Sequence, residues 1–162
     1  MYAGRVSGVV GFPACAALSS LLLMCASEPV APTTIRLTVP TRVADAATAR
    51  SHGDASAPSP VLILEDLEVG AGEALKIRVL APSAPGPSGP GEILGVAAMV
   101  GTRRPVPAAP LRRVNLAVPL NEQASRLLAG KTAATLVLAV EGGSGRRPLT
   151  FKRAYFDTGQ PQ

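Results

Sequence analysis

The segment Ala74-Leu75-Lys76-Ile77-Arg78-Val79-Leu80 carries the clearest strand pattern in this chain of 162 residues. Its alternating aliphatic residues, Leu75, Ile77 and Val79, face one way, and the two basic residues between them face the other. A shift of the register by one residue would bury two charges, so the register of this strand is firmly set. The pattern therefore predicts a β-strand with one buried face and one solvent-facing face.

Six further segments carry a strand signal of the same kind. They cover residues 34–39, 61–69, 92–100, 111–118, 132–140 and 149–156. Stretches rich in Pro and Gly separate them, which is typical of an antiparallel β-fold. We expect the last strand to pair back on the preceding one as a hairpin across the Gly-rich residues 142–145. Leu149, Phe151 and Tyr155 are then expected on one face of it.

A single helix signal interrupts the strands, over residues 121–130. Asn121 suits the N-cap, Glu122 the first turn, Arg126 the last turn and Gly130 the C-cap. The strand spacing leaves no room for βαβ units. The sequence therefore predicts an all-β protein, an antiparallel β-sandwich or jelly-roll-like barrel of about seven strands with one short helix.

Residues 1–27 differ from the rest of the chain. One charge, Arg5, precedes an apolar stretch that ends in small residues, a pattern that indicates a secretory signal peptide cleaved after Ser27. Alternatively, Cys25 follows two leucines and a methionine and is acylated as in a lipoprotein-type leader. Either alternative predicts an exported protein, periplasmic, secreted or membrane-anchored, that meets the membrane only through its leader or a lipid. Since Cys15 also lies in the leader, the mature domain is expected to hold no disulfide.

The rest of the chain, residues 28–162, is predicted to form a single β-sandwich domain. Three stretches inside it are small, polar or dense in Pro and Gly, and we expect them to be mobile loops. They are residues 41–60, 81–91 and 101–110. The first contains Gly53, Pro58 and Pro60, and the second has four Pro and three Gly in eleven residues.

Composition excludes several classes of chemistry. The chain has one histidine, His52, so sites that need several imidazoles are excluded, and no nucleophile–base pair is recognisable. Glu65, Asp66 and Glu68 could seed a cation site, but their spacing matches no known loop and favours a solvated strand end. We therefore predict no catalytic, cofactor-binding or metal-binding residue. The net charge of +5 comes without a basic run interleaved with aromatics, so nucleic acid is not an expected partner.

Three segments match, in order, the strand motifs of one known β-domain. Val61–Val69 is similar to the pattern V-L-V-I-x-G-I-x-V. Lys76–Val79 stands where K-F-D-V-x-V would be, and Glu92–Gly95 is similar to the start of E-x-x-G-S-F. These segments resemble the C-terminal shielding domain of the polyphenol oxidase and tyrosinase family.

The later elements come in the order of that family. They are Leu127-Leu128, Thr135–Leu138, Gly142-Gly143 and the strand at Leu149–Phe156. The resemblance thus spans about residues 34–156, and it marks Lys76, Glu92 and Gly95 as family-like structural positions. Independently of it, a glycine inside a strand favours a bulge or a close backbone approach at Gly95. The chain departs from the family at Arg78, where the family has Asp, and it lacks the family's Pro-His pair after the Gly segment.

The resemblance implies a function without catalysis. The 162 residues contain no counterpart of the family's copper-binding domain, and the family's C-terminal domain covers the copper site without being the catalyst. The resemblance therefore implies an exported accessory domain that acts by protein–protein contact, with a separately encoded tyrosinase-like copper oxidase as its partner and no cofactor of its own. The alternative is a secreted or lipid-anchored β-sandwich binding module of unknown ligand.

Overall fold

The computed structural model describes residues 31–70, 72–83, 91–101, 111–142 and 148–159. These ranges contain seven strands and two helices. They are β1 Thr33–Thr38, α1 Thr41–Ser51, β2 Pro60–Gly70, β3 Leu75–Leu80, β4 Ile93–Met99, β5 Leu111–Pro119, α2 Glu122–Leu128, β6 Ala133–Gly142 and β7 Arg153–Thr158.

The strands form two antiparallel sheets. Sheet A has the order β1-β6-β3-β4, and sheet B has the order β5-β2-β7. The hydrophobic core lies between them and takes alternate side chains from both sheets. The prediction of an all-β antiparallel sandwich is therefore confirmed, and the described strands do not close into a barrel.

The inner faces have the alternation read from the sequence. On β3, Ile77 and Val79 are fully buried, whereas Lys76 and Arg78 lie on the outer face. Both cations form ion pairs with the Glu141 carboxylate of β6. The distance from a carboxylate oxygen is 3.1 Å to the Lys76 Nζ and 2.7 Å to an Arg78 guanidinium nitrogen. A one-residue slip would break both ion pairs and bury the two cations, which is why the register is unambiguous.

The sequence predicted a loop over residues 41–60, but the first part of this segment is a helix. Thr41–Ser51 forms α1, whose Val43, Ala44, Ala46 and Ala47 are buried. Alanine has the strongest helix propensity, and the spacing of Val43 and Ala47 places both on one helix face. The segment seemed merely small and polar because alanine was not counted as an apolar anchor. It serves as one here, since small side chains let α1 pack closely on α2.

The second helix agrees with its prediction. The Asn121 side chain accepts a hydrogen bond from the Ala124 backbone N–H at 3.0 Å, as an N-cap should. Arg126 pairs with Glu122 at 2.7 Å along the exposed side of the helix. Gly130, just beyond the C-cap, has φ +64°, a conformation that favours glycine.

The expected C-terminal hairpin is wrong. β7 does not pair with β6; it pairs with β2 in the opposite sheet, with Ile63 opposite Tyr155 and Leu62 opposite Phe156. The reason is that β6 already has β1 on one edge and β3 on the other. The buried residue of β7 is Phe156, the neighbour of the Tyr155 that the sequence had grouped with Leu149 and Phe151.

Several predictions fall on parts of the chain outside the described residues. These parts are residues 1–30, which include the leader and Cys25, most of the proposed loops 81–91 and 101–110, and the turn residues 143–147. Within the described residues, no helix is both long and apolar enough to cross a membrane.

Gly95 marks the place where the two sheets come together. The register of β4 on β3 shifts by one residue beside it, which is the bulge that the sequence suggested. A bridge links Gly95 to Leu120, just past β5, and the Leu120 N–H donates to the Pro60 carbonyl at 3.0 Å. A Cβ on Gly95 would lie 2.6 Å from the Pro119 carbonyl oxygen, so the glycine permits the close approach.

We expect Gly95→Ala to lower the free energy of unfolding by about 1–3 kcal/mol, because the added methyl group would push the end of β5 away from β4. Chemical denaturation followed by circular dichroism measures this loss. Ala98→Ser on the exposed face of the same strand is the control and should change stability by no more than about 0.5 kcal/mol. Equal stability of Gly95→Ala and the native chain would contradict the close approach.

Ser125 of α2 is fully buried, and its hydroxyl has no hydrogen-bond partner among the described residues. We expect Ser125→Ala to raise the free energy of unfolding by about 1 kcal/mol, since it removes a desolvated polar group without losing a bond. Ser51→Ala is the matched control in α1, where the hydroxyl donates to the Thr48 carbonyl at 2.7 Å and its loss should destabilise. If both changes destabilise the protein in the same denaturation assay, the Ser125 hydroxyl does have a hydrogen-bond partner, and the prediction is wrong.

Candidate functional site

The three family-like positions do not form a common site. Lys76 lies near the start of β3, where it pairs with Glu141 and faces Ala98 across the strands. Glu92 lies at the other end of this hairpin, where its carbonyl accepts a hydrogen bond from the Ala81 N–H at 2.8 Å. Together with Gly95, these positions shape the β3–β4 hairpin, and the structure gives none of them a catalytic environment.

The acidic segment of β2 forms a β-bulge. The register of β2 on β5 shifts between Leu64 and Leu67, and Asp66 has φ +52°, a left-handed conformation that is uncommon for a residue other than glycine. The Asp66 N–H donates to the side-chain oxygen of Asn115 at 3.0 Å. Asn115 thus supplies the acceptor that a regular ladder would have supplied, and the bulge directs Asp66 toward the residues that precede β7.

Each of two carboxylates on the bulge has a basic partner. The Lys152 Nζ lies 3.6 Å from an Asp66 oxygen, and an Arg113 guanidinium nitrogen lies 3.5 Å from a Glu68 oxygen. Two backbone hydrogen bonds hold the residues before β7 in place, from the Glu68 N–H to the Thr150 carbonyl at 2.9 Å and from the Lys152 N–H to the Glu65 carbonyl at 3.0 Å. Among the described residues, no three acidic, histidine or cysteine side chains are grouped so that they could hold a metal ion.

These residues enclose a shallow cleft of about 170 Å³, which is our candidate site. Its lining combines two ion pairs, one hydroxyl and one half-buried aromatic ring. The lining residues are Asp66, Glu68, Arg113, Thr150, Phe151 and Lys152. Such a lining can exchange its internal ion pairs for contacts with a polar partner. Among the described residues, the Thr150 hydroxyl donates to the Pro148 carbonyl, at 3.4 Å.

A second cleft of about 170 Å³ lies at the end of α1, where the sequence placed the lone histidine. It is lined by Arg50, Gly53, Asp54, Ala55 and Glu122. Hydrogen bonds from the Ser56 hydroxyl and backbone N–H hold the pKa of Asp54 below its ordinary value. His52 is exposed at the helix C-cap and is not among the lining residues. The geometry is that of an Asx turn that ends a helix, not of an acid–base site.

The outer face of sheet B carries a feature that sequence reasoning missed. Ile63 of β2 lies between Ala117 of β5 and Tyr155 of β7, and the Arg153 guanidinium lies over the Tyr155 ring, 5.0 Å from its centroid. We call these four residues the Tyr155 platform. Tyr and Arg are enriched in protein–protein interfaces, where flat apolar surfaces with polar tips are common. The sequence predicted a pairing of β7 with β6, so the neighbours that Tyr155 meets on β2 were not predicted.

Known proteins match this chain in structure and not in sequence. No family model matches it, and no curated protein matches it. Among solved structures, a latent aurone synthase, a polyphenol oxidase from a natural source, matches with a TM-score of 0.52 and 17% sequence identity.

The fold is similar to part of a polyphenol oxidase. The match covers 80% of this chain and 25% of the latent aurone synthase chain, so this chain spans about a quarter of the length of that oxidase. At this identity the likeness establishes the fold alone. The resemblance to polyphenol oxidases read from the strand motifs is therefore confirmed at the level of the fold.

The positive φ of Asp66 leads to a test of the bulge. Both Asp66→Gly and Asp66→Ala lose the ion pair with Lys152, so that loss cancels when the two variants are compared. Only the alanine keeps a Cβ in the left-handed region, and we expect it to be less stable than the glycine variant by about 1 kcal/mol. Urea denaturation of the two variants measures the difference, and an alanine variant as stable as the glycine variant would show that the bulge relaxes to a regular strand.

Proposed function

We propose that this chain is a non-catalytic accessory domain that shields a separately encoded, tyrosinase-like copper oxidase by protein–protein contact. The observation that carries the proposal is the likeness of its fold to a quarter of a latent polyphenol oxidase chain. In the family that the strand motifs resemble, the corresponding β-domain covers the copper site. A chain with this fold, supplied in trans, would act on an oxidase in the same way.

The described side chains support a role in contact. The acidic residues of the bulge cleft are held by basic partners, and its one hydroxyl lacks an adjacent base. The Tyr155 platform, in contrast, offers a flat surface with a tyrosine, an arginine and an isoleucine. Tyrosine and arginine carry a large share of the binding energy in protein complexes. We infer that the platform is the part of the surface that meets the oxidase.

Export is part of the proposal. The N-terminal 27 residues carry the signal pattern described above, and a β-sandwich without cysteine in its mature part needs no disulfide to form outside the cytoplasm. Mass spectrometry of the N terminus of the exported protein tests this. A chain beginning at Glu28 indicates a cleaved signal peptide, and an acylated N-terminal Cys25 indicates a lipoprotein. An intact N terminus on a chain retained in the cytoplasm would contradict export.

The contact with an oxidase is tested with the full chain as bait. A tagged chain is expected to recover a copper oxidase of the tyrosinase type from cells of its source, and the purified chain should lower the rate at which that oxidase converts a diphenol. Tyr155→Ala should weaken binding about tenfold or more, because the ring is at the centre of the proposed contact. The rate of diphenol oxidation and the affinity are measured in parallel.

Arg126→Ala is the matched control for this experiment. Arg126 is an exposed residue of α2 that pairs with Glu122 on its own helix. Its loss should leave binding unchanged. An oxidase that neither binds the chain nor changes its rate would overturn the proposal and leave the likeness architectural, as expected for a binding module with another ligand. Equal losses for Tyr155→Ala and Arg126→Ala would place the contact away from the Tyr155 platform.

A further inference from the structure

The two sheets end in four edge strands, and three of them carry charges. β1 has Arg36, β5 has Arg112 and Arg113, and β7 has Arg153 and Asp157. Charged side chains on an edge oppose its pairing with another strand. β7 is further protected, since its Asp157 pairs with Arg42 of α1 at 2.8 Å and its outer edge lies next to α1 and β1.

The fourth edge strand, β4, has neither a charge nor a proline in its sequence Ile-Leu-Gly-Val-Ala-Ala-Met. The first half of its outer edge is occupied. The Leu94 carbonyl accepts from the Asn121 N–H at 2.8 Å, the Ile93 carbonyl accepts from the Asn121 side-chain amide at 2.8 Å, and Gly95 bridges to Leu120. Beyond Gly95, no described strand pairs with the outer edge of residues 96–99.

The unpaired half of β4 is also apolar where it meets solvent. Val96 is 42% exposed, Val100 just past the strand is 86% exposed, and Ala98 lies between them on the same outer face. An edge that is unpaired, uncharged and apolar is a template for strand addition. The described part of the chain has edge protection at β1, β5 and β7 and lacks it here.

We propose that residues 96–100, the second half of β4 and the residue after it, form an interface with a second copy of this chain, in which the two β4 strands pair antiparallel about a two-fold axis and join the two A sheets. A two-fold interface brings the same strand from each copy together, so it requires a strand that does not repel itself. Among the described edges, β1 and β5 carry only basic charges, β7 carries both signs but contacts α1 and β1, and β4 carries no charge. The occupied first half of the edge restricts pairing to a few residues on each copy.

The charges behind the edge permit this arrangement. Lys76 and Arg78 lie one strand in from β4, so three inter-strand spacings would separate them from their counterparts in the second copy. That distance is about 14 Å, which exceeds the Debye length of about 8 Å at physiological ionic strength. Glu141 further neutralises both cations. With so short a pairing, we expect a weak dimer whose population rises over the micromolar range.

Sedimentation velocity of the full chain, as recovered from the expression host, tests the proposal over a concentration series. The native chain should pass from monomer to dimer. Ala98→Lys should weaken dimerisation by about tenfold or more, because residue 98 lies at the centre of the paired segment, opposite its own copy, and two like charges would meet there. Thr34→Lys is the matched control, since it adds the same charge to the exposed face of β1 at the opposite edge of sheet A and should leave the dimer unchanged.

A mixture gives a positive test. Ala98→Glu alone should also fail to dimerise, but when mixed with Ala98→Lys it should form a heterodimer, since the two new charges then face each other and attract. Circular dichroism confirms that each variant is folded, and Val96→Lys mixed with Val100→Glu, which face each other in this register, replaces the pair if an Ala98 variant unfolds. A chain that is monomeric at every concentration overturns the proposal, as does a dimer that Thr34→Lys weakens as much as Ala98→Lys does.

The dimer can be tested separately from the proposed shielding function. A monomeric chain that binds an oxidase, with binding weakened by Ala98→Lys, would overturn the second copy as occupant and assign this edge to the oxidase. A dimer that binds no oxidase would support the β4 interface and overturn the proposed shielding function.

Discussion

The whole sandwich depends on the contact between the end of β5 and the bulge of β4. At Leu120 the backbone serves both sheets, since its N–H bonds to Pro60 of β2 while the residue bridges to Gly95 of β4. Asn121 comes next and ties β4 to α2. Its backbone and side-chain N–H groups bond to Leu94 and Ile93, and its side-chain oxygen caps α2. A Cβ at position 95 would lie 2.6 Å from the Pro119 carbonyl oxygen and 2.9 Å from a Leu120 methyl carbon, so the glycine permits this approach.

The elements at this junction show which parts of the fold the sequence could predict. The strands, the N-cap at Asn121 and the bulge at Gly95 are local features, because periodicity, capping and a missing side chain act over a few residues. The sheet to which a strand belongs is not local. The pairing of β7 with β2 was missed because nothing near the Gly-rich turn reveals that β1 and β3 already occupy both edges of β6.

Helix α1 was missed for a different reason. Its buried face consists of one valine and three alanines, which give a weak apolar signal in any window. Their contribution becomes apparent only when α2 is present, since closely packed helices need small side chains between them. A helix propensity sum over residues 41–51 would have detected it, with Pro40 before the segment and Gly53 after it as the boundaries.

The candidate site could be predicted only in part. The sequence singled out Glu65, Asp66 and Glu68, but their environment is set by residues distant in the chain. Asn115 accepts from the Asp66 backbone, Arg113 pairs with Glu68, and Lys152 arrives from the segment before β7. An acidic run that looked able to bind a cation is thereby neutralised.

The distribution of charge over the molecule then carries the functional argument. The outer faces carry paired charges, which favours specific contacts over nonspecific attraction. The outer half of β4 has no charge, and in a β-sandwich such an edge is stable in solution only if something covers it or if it is short. Only residues 96–99 of this strand lack a partner among the described strands, and so short an edge fits the weak pairing that we propose. In the function and the interface that we propose, the domain would hold one surface for a partner and use this edge to bring two such surfaces together.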